Sequence, residues 1–165
     1  MSKGVMWEAI VNNEGGHDMS ETNKALAARI PLEAFNQGKL EVIDEVIADN
    51  TIEHGTLPPG LPPGKEGLKL LIKSLRSAFP DFKIEIDLQV AEGDLVVAHA
   101  TTTGTMKGEF AGMPPSGKTA TWEAIHITRI KDGKIVEHWQ VQDQLGMLQQ
   151  LGFIPTPEAA PAPAR

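Results

Sequence analysis

KTATWEAIHITRIKDGKIVEHWQVQD, residues 118–143, carries the strongest structural pattern in the chain. Apolar and polar residues alternate on both sides of Lys131-Asp132-Gly133-Lys134. A period of two predicts half-buried β-strands, and a short Asp-Gly connection between two such runs predicts a hairpin. We therefore expect paired antiparallel strands over residues 118–130 and 135–143.

Further strands and helices precede this hairpin, and one helix follows it. Residues 82–88 alternate in the same way, and residues 95–106 form a longer apolar run after the Glu92-Gly93-Asp94 turn. Ser20 is the expected N-cap of the first helix. Apolar residues at helical spacing predict helices over 22–35, 40–47, 65–79 and 144–151. This order predicts an α+β protein with one antiparallel sheet and helices on one side of it.

The two ends of the chain differ from its middle. Residues 1–19 contain polar and Gly-rich sequence and lack the basic start and cleavage site of a signal peptide, so we expect a flexible N-terminal arm. Residues 154–165 are rich in Pro and Ala, which cannot build a core, and predict a disordered tail. A single folded domain is expected over residues 20–153.

The composition excludes several classes of protein. The 165 residues contain 15 Lys and Arg against 22 Asp and Glu, a formal charge of −7 that disfavours binding to nucleic acid. No apolar run approaches the ~18 residues of a membrane span. The absence of cysteine excludes disulfides and thiol nucleophiles, and the five scattered histidines lack metal-ligand spacing. We expect a cytoplasmic protein that acts on a small molecule without metal or cofactor.

The predicted hairpin sorts its polar residues onto two faces. If Ile130 pairs with Ile135 across the turn, the cross-strand partners follow in register. One face then carries Trp122, Ala124, His126, Trp139, Val141 and Asp143. The other face carries Glu123, Ile125, Ile127, Arg129, Val136, His138, Gln140 and Gln142. A one-residue bulge would exchange these sets along the second strand.

The first of these faces is the predicted small-molecule site. Two indoles, an imidazole and a carboxylate among small residues are typical of an aromatic-walled pocket. Burial would raise the pKa of an Asp there toward the range used in acid–base catalysis, although a charged His beside it would oppose the rise. Asp143 and His126 are the candidate catalytic residues, and Trp122 and Trp139 are candidate substrate-binding walls. The alternatives are an N-cap role for Asp143 and core roles for the other three.

Two further histidines complete the predicted substrate-binding set. His54 precedes the rigid Pro/Gly loop 55–64 and is expected to face a cavity, with solvent as the alternative. His99 lies inside an apolar strand, where a structural role is equally open. His138 and Arg129 are expected at a subunit interface.

A series of short motifs then points to a family. The motifs are, in order, Phe35-Asn36-Gln37-Gly38, Glu53-His54, Leu57-Pro58-Pro59-Gly60, Phe79-Pro80-Asp81, Glu92-Gly93-Asp94, Gly108-Glu109-Phe110-Ala111-Gly112-Met113-Pro114, Glu137-His138-Trp139, Asp143 and Gln149-Gln150-Leu151-Gly152. Over residues 20–153 the chain resembles the SnoaL-like polyketide cyclases, or ester cyclases, of the nuclear-transport-factor-2-like superfamily. The resemblance implies a cone-shaped α+β barrel, in which a curved antiparallel sheet wraps over N-terminal helices around an internal pocket.

The resemblance also implies a reaction. Members of this family close a ring of an aromatic polyketide methyl ester by intramolecular aldol condensation, without metal or cofactor, and an Asp acts as general acid/base. The Asp that follows the Glu-His-Trp motif matches Asp143, with His126 as its partner in the pocket. The implied ligand is a small hydrophobic or aromatic polyketide-like molecule.

Two other functions stay open from the sequence. The same pocket would suit a non-catalytic small-molecule binding protein, and the other sheet face would suit a purely assembling role. Ile125, Ile127 and Val136 would form an exposed apolar patch, so we expect a homodimer under every one of these functions.

Overall fold

The computed structural model describes residues 14–55 and 58–156. Within them the helices and strands follow the predicted order, with one additional strand. The elements are α1 Glu14–Arg29, a π-helical segment Ile30–Phe35, α2 Glu41–Val46, β1 Ile47–Glu53, α3 Gly64–Ala78, β2 Lys83–Glu92, β3 Leu95–Thr105, β4 Thr119–Lys131, β5 Lys134–Gln142 and α4 Gln144–Leu151. No helix in these residues is long and apolar enough to cross a membrane.

The five strands form one curved, unclosed sheet in the order β1-β5-β4-β3-β2, packed against the N-terminal helices. Strands β2 to β5 pair antiparallel, as expected, and the predicted α+β fold is confirmed. The added strand β1 pairs parallel with β5, so the sheet is not antiparallel throughout. Its sequence IADNTIE has no regular alternation, and Thr51 donates from its hydroxyl to the carbonyl of Ile135 at 2.5 Å.

The first helix begins earlier than the sequence predicts. Helix α1 starts at Glu14, so Ser20 lies inside it and is not its N-cap. The helix continues into a π-helical segment that contains Pro31, and it ends before Gly38, which adopts a positive φ of 74°. Residues 1–13 and 157–165 lie outside the described residues, and so does most of the predicted N-terminal arm and C-terminal tail. These two predictions stay predictions.

Two groups of buried apolar side chains join the helices to the inner face of the sheet. One group surrounds Phe79 at the end of α3 and includes Trp122 and Met147. The other surrounds Ile72 and includes Ile43 and Ile130. Burial of these apolar surfaces is the main force that holds the layers together. Because Trp122 and Ile130 both belong to β4, residues in phase with them on that strand point toward the helices.

The turn between β4 and β5 determines how the two strands align. Asp132 and Gly133 have φ angles of 50° and 69°, the left-handed backbone that a two-residue hairpin turn requires. Ile130 pairs with Ile135, as predicted. The next pair is Arg129 with Glu137, so Val136 is an extra residue on β5 and forms a bulge.

Candidate functional site

The bulge at Val136 changes which residues of β5 face the helices. Beyond it His126 pairs with Gln140 and Ile127 pairs with Trp139. The predicted partners of His126 were therefore wrong for β5, because one extra residue exchanges its two faces. Trp139 and Val141 lie on the outer face of the sheet, and His138 and Gln140 lie on the inner face with His126 and Trp122. The predicted interface position of His138 is corrected in the same way.

Three side chains from three strands meet on the inner face in a line. The carboxylate oxygen Oε2 of Glu53, at the end of β1, lies 2.7 Å from Nδ1 of His138. Nε2 of His138 lies 3.1 Å from Nδ1 of His126. The two imidazoles stack with centroids 5.4 Å apart and an interplanar angle of 20°. The parallel pairing of Glu53 with His138 and the shifted register of β5 together produce this line.

Burial changes the protonation behaviour of this group. Desolvation, and then the charge of His138, lower the pKa of His126 to about 4, against a smaller opposing effect from Glu53. His126 is therefore neutral at neutral pH. Burial is the largest single effect on Glu53 and raises its pKa. The hydrogen bonds from His138 and from the N–H of Gly55, together with attraction to the positive charge of the two imidazoles, outweigh the effect of burial and hold the pKa of Glu53 below its usual range. Glu53 is therefore ionised.

Backbone and small side chains define the surroundings of the line. The N–H of Gly55 donates to Oε1 of Glu53 at 2.6 Å, and a Cβ at Gly55 would lie 2.9 Å from Cγ of Gln140. Position 55 therefore tolerates only glycine without displacing Glu53 or Gln140. On β3 and β4 the inner-face neighbours of His126 are Ala98, Ala100 and Ala124 toward one end of the sheet, and Val96 and Thr128 toward the other. Alanine ends at Cβ, so the sheet carries little bulk on the alanine side of His126.

Asp143 follows β5 and caps helix α4. Its Oδ1 accepts from the N–H of Gly146 at 2.8 Å, and its own N–H donates to the carbonyl of Glu123. The N-cap alternative for Asp143 is confirmed, and such a cap contributes about 1 kcal/mol. A Cβ at Gly146 would collide with the capping carboxylate.

An open groove of about 300 Å³ lies beside Asp143. Its lining is His99, Glu123, Ala124, Ile125, Val141, Gln142 and Asp143. Most of these residues belong to the outer face, so the groove brings Asp143 together with the predicted residue His99 but not with His126. His99 lies between two carboxylates, 3.3 Å from Glu123 and 3.6 Å from Asp87.

Two more of the predicted site residues, His54 and Trp139, meet on the outer face. Their rings stack with centroids 4.7 Å apart and an interplanar angle of 3°. Nε2 of His54 lies 2.9 Å from Glu137, which also accepts from Arg129, and the Arg129 guanidinium lies over the Trp139 ring at 5.8 Å. Arg129 in turn binds Asp94 at 2.8 Å. These contacts form a network at the surface rather than a wall of the inner site.

Trp122 lies on the inner face with His126 but deeper in the apolar core. It is 6% exposed and packs against Phe79 and Phe82, with centroid distances of 6.2 and 6.3 Å. These contacts fit the alternative in which Trp122 is a core residue.

Nothing in the described residues suggests a metal centre. No three His, Asp or Glu side chains there are arranged to hold a metal ion. A second depression, of about 420 Å³, lies at the hairpin ends and is lined by Met19, Asn23, Gly93, Asp94, Ile130, Asp132 and Gly133. It contains no histidine, and Asp94 in it is already bound to Arg129. The line of Glu53, His138 and His126 holds a buried, neutral imidazole, whereas His99 in the outer groove lies at the surface between two carboxylates. This line is therefore the better candidate for acid–base chemistry.

Sequence reasoning missed three members of the inner site: Glu53, His138 and Gln140. Two of them were assigned to the wrong face by the register, and Glu53 lies on a strand that the sequence did not predict. The signal in the sequence that could have indicated Glu53 is its place in the Glu53-His54 pair, two polar residues directly before a rigid Pro/Gly loop.

Comparison with known proteins gives one consistent family. The model of the family "SnoaL-like polyketide cyclase" matches residues 25–151. The chain is 32% identical over 120 residues to nogalonic acid methyl ester cyclase of Streptomyces nogalater, covering 72% of this chain and 90% of that protein. It is 35% identical over 141 residues to aklanonic acid methyl ester cyclase DauD of Streptomyces sp. (strain C5), covering 81% and 87%. The structure of TsrD from Streptomyces laurentii matches with a TM-score of 0.73 at 30% identity, covering 81% of this chain and 97% of that one.

Proposed function

The chain belongs to the SnoaL-like polyketide cyclase family, and from that premise we propose that it closes a ring of a small polyketide ester by a cofactor-free intramolecular aldol reaction. In this reaction a base removes a proton from an acidic carbon, and the enolate carbon attacks a ketone of the same molecule. One carbon–carbon bond forms, and the ketone oxygen takes a proton. The relatives named as methyl ester cyclases support the substrate class.

One observation carries the assignment of the base. His126 is a neutral imidazole on the inner face, with its Nδ1 hydrogen-bonded and small alanine side chains beside it. A positioned general base contributes about 10²- to 10⁴-fold to the rate of a proton transfer, most when its pKa lies near the operating pH. Desolvation lowers the pKa of His126 to about 4, so the neutral form is the one present but its basicity depends on the groups that share its charge. His126 is the proposed base for the acidic carbon.

The resemblance assigns this proton transfer to Asp143, and that assignment stays a prediction. The cap contact with Gly146 and the exposed position of Asp143 support a structural role. The inner position of His126 supports the chemical role. Variants at the two positions separate the two assignments.

The experiment that tests the proposed function uses the two esters in the names of the relatives. Nogalonic acid methyl ester and aklanonic acid methyl ester are incubated with the full chain after treatment with EDTA, and the products are followed by liquid chromatography and mass spectrometry. We expect each active substrate to give a ring-closed isomer of unchanged mass. Quenching of tryptophan fluorescence without any product would instead indicate a non-catalytic binding protein.

We further propose that the outer face of the sheet forms a homodimer. Its exposed apolar side chains are Leu88, Val90, Ile125 and Val141, which are 60%, 54%, 42% and 77% exposed. Of the predicted patch, Ile125 belongs to this set, whereas Ile127 and Val136 are half-buried. Light scattering is expected to give twice the monomer mass for the protein and the monomer mass for Val141→Asp. A monomeric parent protein at micromolar concentration would contradict the proposal.

The cytoplasm is the proposed site of action. The chain has no cysteine and therefore forms no disulfide, the bond typical of oxidising compartments, which supports this location.

A further inference from the structure

We infer that Glu53 and His138 are positioning residues, which direct the protons of His126 so that its Nε2 is left bare as a proton acceptor. The catalytic meaning of this inference depends on the proposed function. The proton arrangement itself does not, because it exists in the protein without substrate. The inference starts from the line of hydrogen bonds that joins Glu53 Oε2, His138 and His126.

Glu53 can only accept a hydrogen bond from His138. Its carboxylate is ionised, and an ionised carboxylate has no proton to donate. The N–H of Gly55 engages Oε1 at 2.6 Å, which leaves Oε2 to His138. His138 must therefore carry a proton on Nδ1, the nitrogen that faces Oε2.

The direction of the next hydrogen bond depends on the charge of His138, since a protonated imidazole would donate from both nitrogens. The neutral form of His138, with its proton on Nδ1, has a lone pair on Nε2. In that form Nε2 of His138 accepts, and Nδ1 of His126 donates to it across 3.1 Å. His126 is then neutral with its proton on Nδ1, and the lone pair lies on Nε2.

The lone pair on Nε2 of His126 is not fully enclosed by the protein. Among the described residues Nε2 makes no hydrogen bond, yet every fully enclosed side-chain nitrogen or oxygen there has a partner. Ala98 and Ala124 lie beside His126 on the inner face, and their short side chains leave this side of the ring the least crowded.

The line also gives the abstracted proton a place to rest. When Nε2 of His126 takes a proton from carbon, the Nδ1 proton can move to Nε2 of His138. His126 is then neutral again, with its proton on Nε2, and His138 is a cation against the Glu53 carboxylate. The positive charge thus moves from the desolvated His126 to His138, where the Glu53 carboxylate stabilises it. The new Nε2–H of His126 can donate to the oxygen that becomes the alkoxide, and the return of both protons restores the resting state.

Substitution of Glu53 by Gln is expected to reverse the line. The N–H of Gly55 selects the amide oxygen of Gln at the place of Oε1, so the amide NH₂ faces Nδ1 of His138. His138 then accepts at Nδ1 and donates from Nε2. His126 accepts at Nδ1 and carries its proton on Nε2, where it no longer acts as a base. Glu53→Gln thus keeps the shape of the side chain but exchanges the proton and the lone pair between Nδ1 and Nε2 of His126.

Nitrogen NMR of ¹⁵N-histidine-labelled protein tests the inference directly. At a pH of about 8.5, above the ordinary pKa of histidine near 6.5, the neutral tautomers are observed. We expect His126 and His138 each to show a protonated Nδ1 and an unprotonated Nε2. In Glu53→Gln both patterns should exchange, and kcat for the proposed ring closure should fall by on the order of 10²-fold or more with KM little changed.

Glu137→Gln is the matched control for the NMR experiment. Glu137 precedes His138 on β5 and also binds an imidazole, that of His54, but it does so on the outer face. We expect this variant to leave the ring nitrogens of His126 and His138 unchanged. A proton on Nε2 of His126 in the parent protein, or unchanged nitrogens in Glu53→Gln, would overturn the inference. If the NMR result holds and no ester is turned over, the proton arrangement stands and the proposed function fails.

Discussion

His126→Gln is expected to lower kcat for ring closure of a polyketide methyl ester by about 10²- to 10⁴-fold, the usual contribution of a general base. Glutamine is similar in reach and can still donate to His138, but it has no basic nitrogen. The effect should therefore appear in kcat, with little change in KM, because the proton is transferred only in the reaction step. Initial rates at saturating substrate, measured by chromatography, provide the test.

Asp143→Asn is the control that separates the two candidate bases. Asparagine caps a helix about as well as aspartate, so α4 and its hydrogen bond to Gly146 should persist. The amide cannot act as a base. If His126 is the base, Asp143→Asn keeps most of the activity. Loss of activity in Asp143→Asn with retention in His126→Gln would return the role to Asp143 and contradict the assignment made here.

Phe79→Ala is expected to lower the free energy of unfolding by about 3–5 kcal/mol, the cost of truncating a fully buried Phe. Phe79 is 1% exposed and joins α3 to the sheet. Its ring lies 5.9 Å from Phe110 and 6.2 Å from Trp122, and a Cβ at Gly104 would lie 3.1 Å from it. Phe110 lies on a loop, Trp122 on β4 and Gly104 on β3, so the cavity would weaken the packing of all three against the end of α3. Urea unfolding followed by tryptophan fluorescence gives the midpoint and slope needed.

Leu70→Ala is the matched control for this stability prediction. Leu70 lies on α3, away from the outer face of the sheet, and is 44% exposed, so its truncation should change the free energy of unfolding by only about 0.5 kcal/mol or less. An equal loss in the two variants would show that Phe79 is not the centre of the core. A loss below about 1 kcal/mol in Phe79→Ala would show the same.

The fold could be predicted from the sequence where the pattern was local. The alternation along β4 depends on which residues of that strand are buried, and it placed Trp122 and His126 correctly on one face. The Asp132-Gly133 turn fixed the pairing of Ile130 with Ile135. Strand β1 could not be found in this way, because its polar sequence becomes a strand only through parallel pairing with β5.

The site depended on a feature that leaves no local pattern. The bulge at Val136 arises from pairing between strands, and a single extra residue exchanged the two faces of β5 from Glu137 onward. It moved Trp139 to the outer face and brought His138 next to His126. The catalytic importance expected for Asp143 came from the face that it was predicted to share with His126 and from the resemblance. The structure places Asp143 instead as the cap of α4, beside the groove that contains His99.

The central claim is that His126, on the inner face, takes a proton from an acidic carbon. It is tested most directly by deuterium uptake from D₂O into a β-keto methyl ester. The ester keeps the β-ketone that makes the carbon acidic but lacks the second ketone that the enolate would attack, so proton removal is measured without bond formation. Mass spectrometry is expected to show catalysed uptake with the parent protein and with Asp143→Asn, and uptake at the uncatalysed rate with His126→Gln. Uptake that persists in His126→Gln and disappears in Asp143→Asn would contradict the claim.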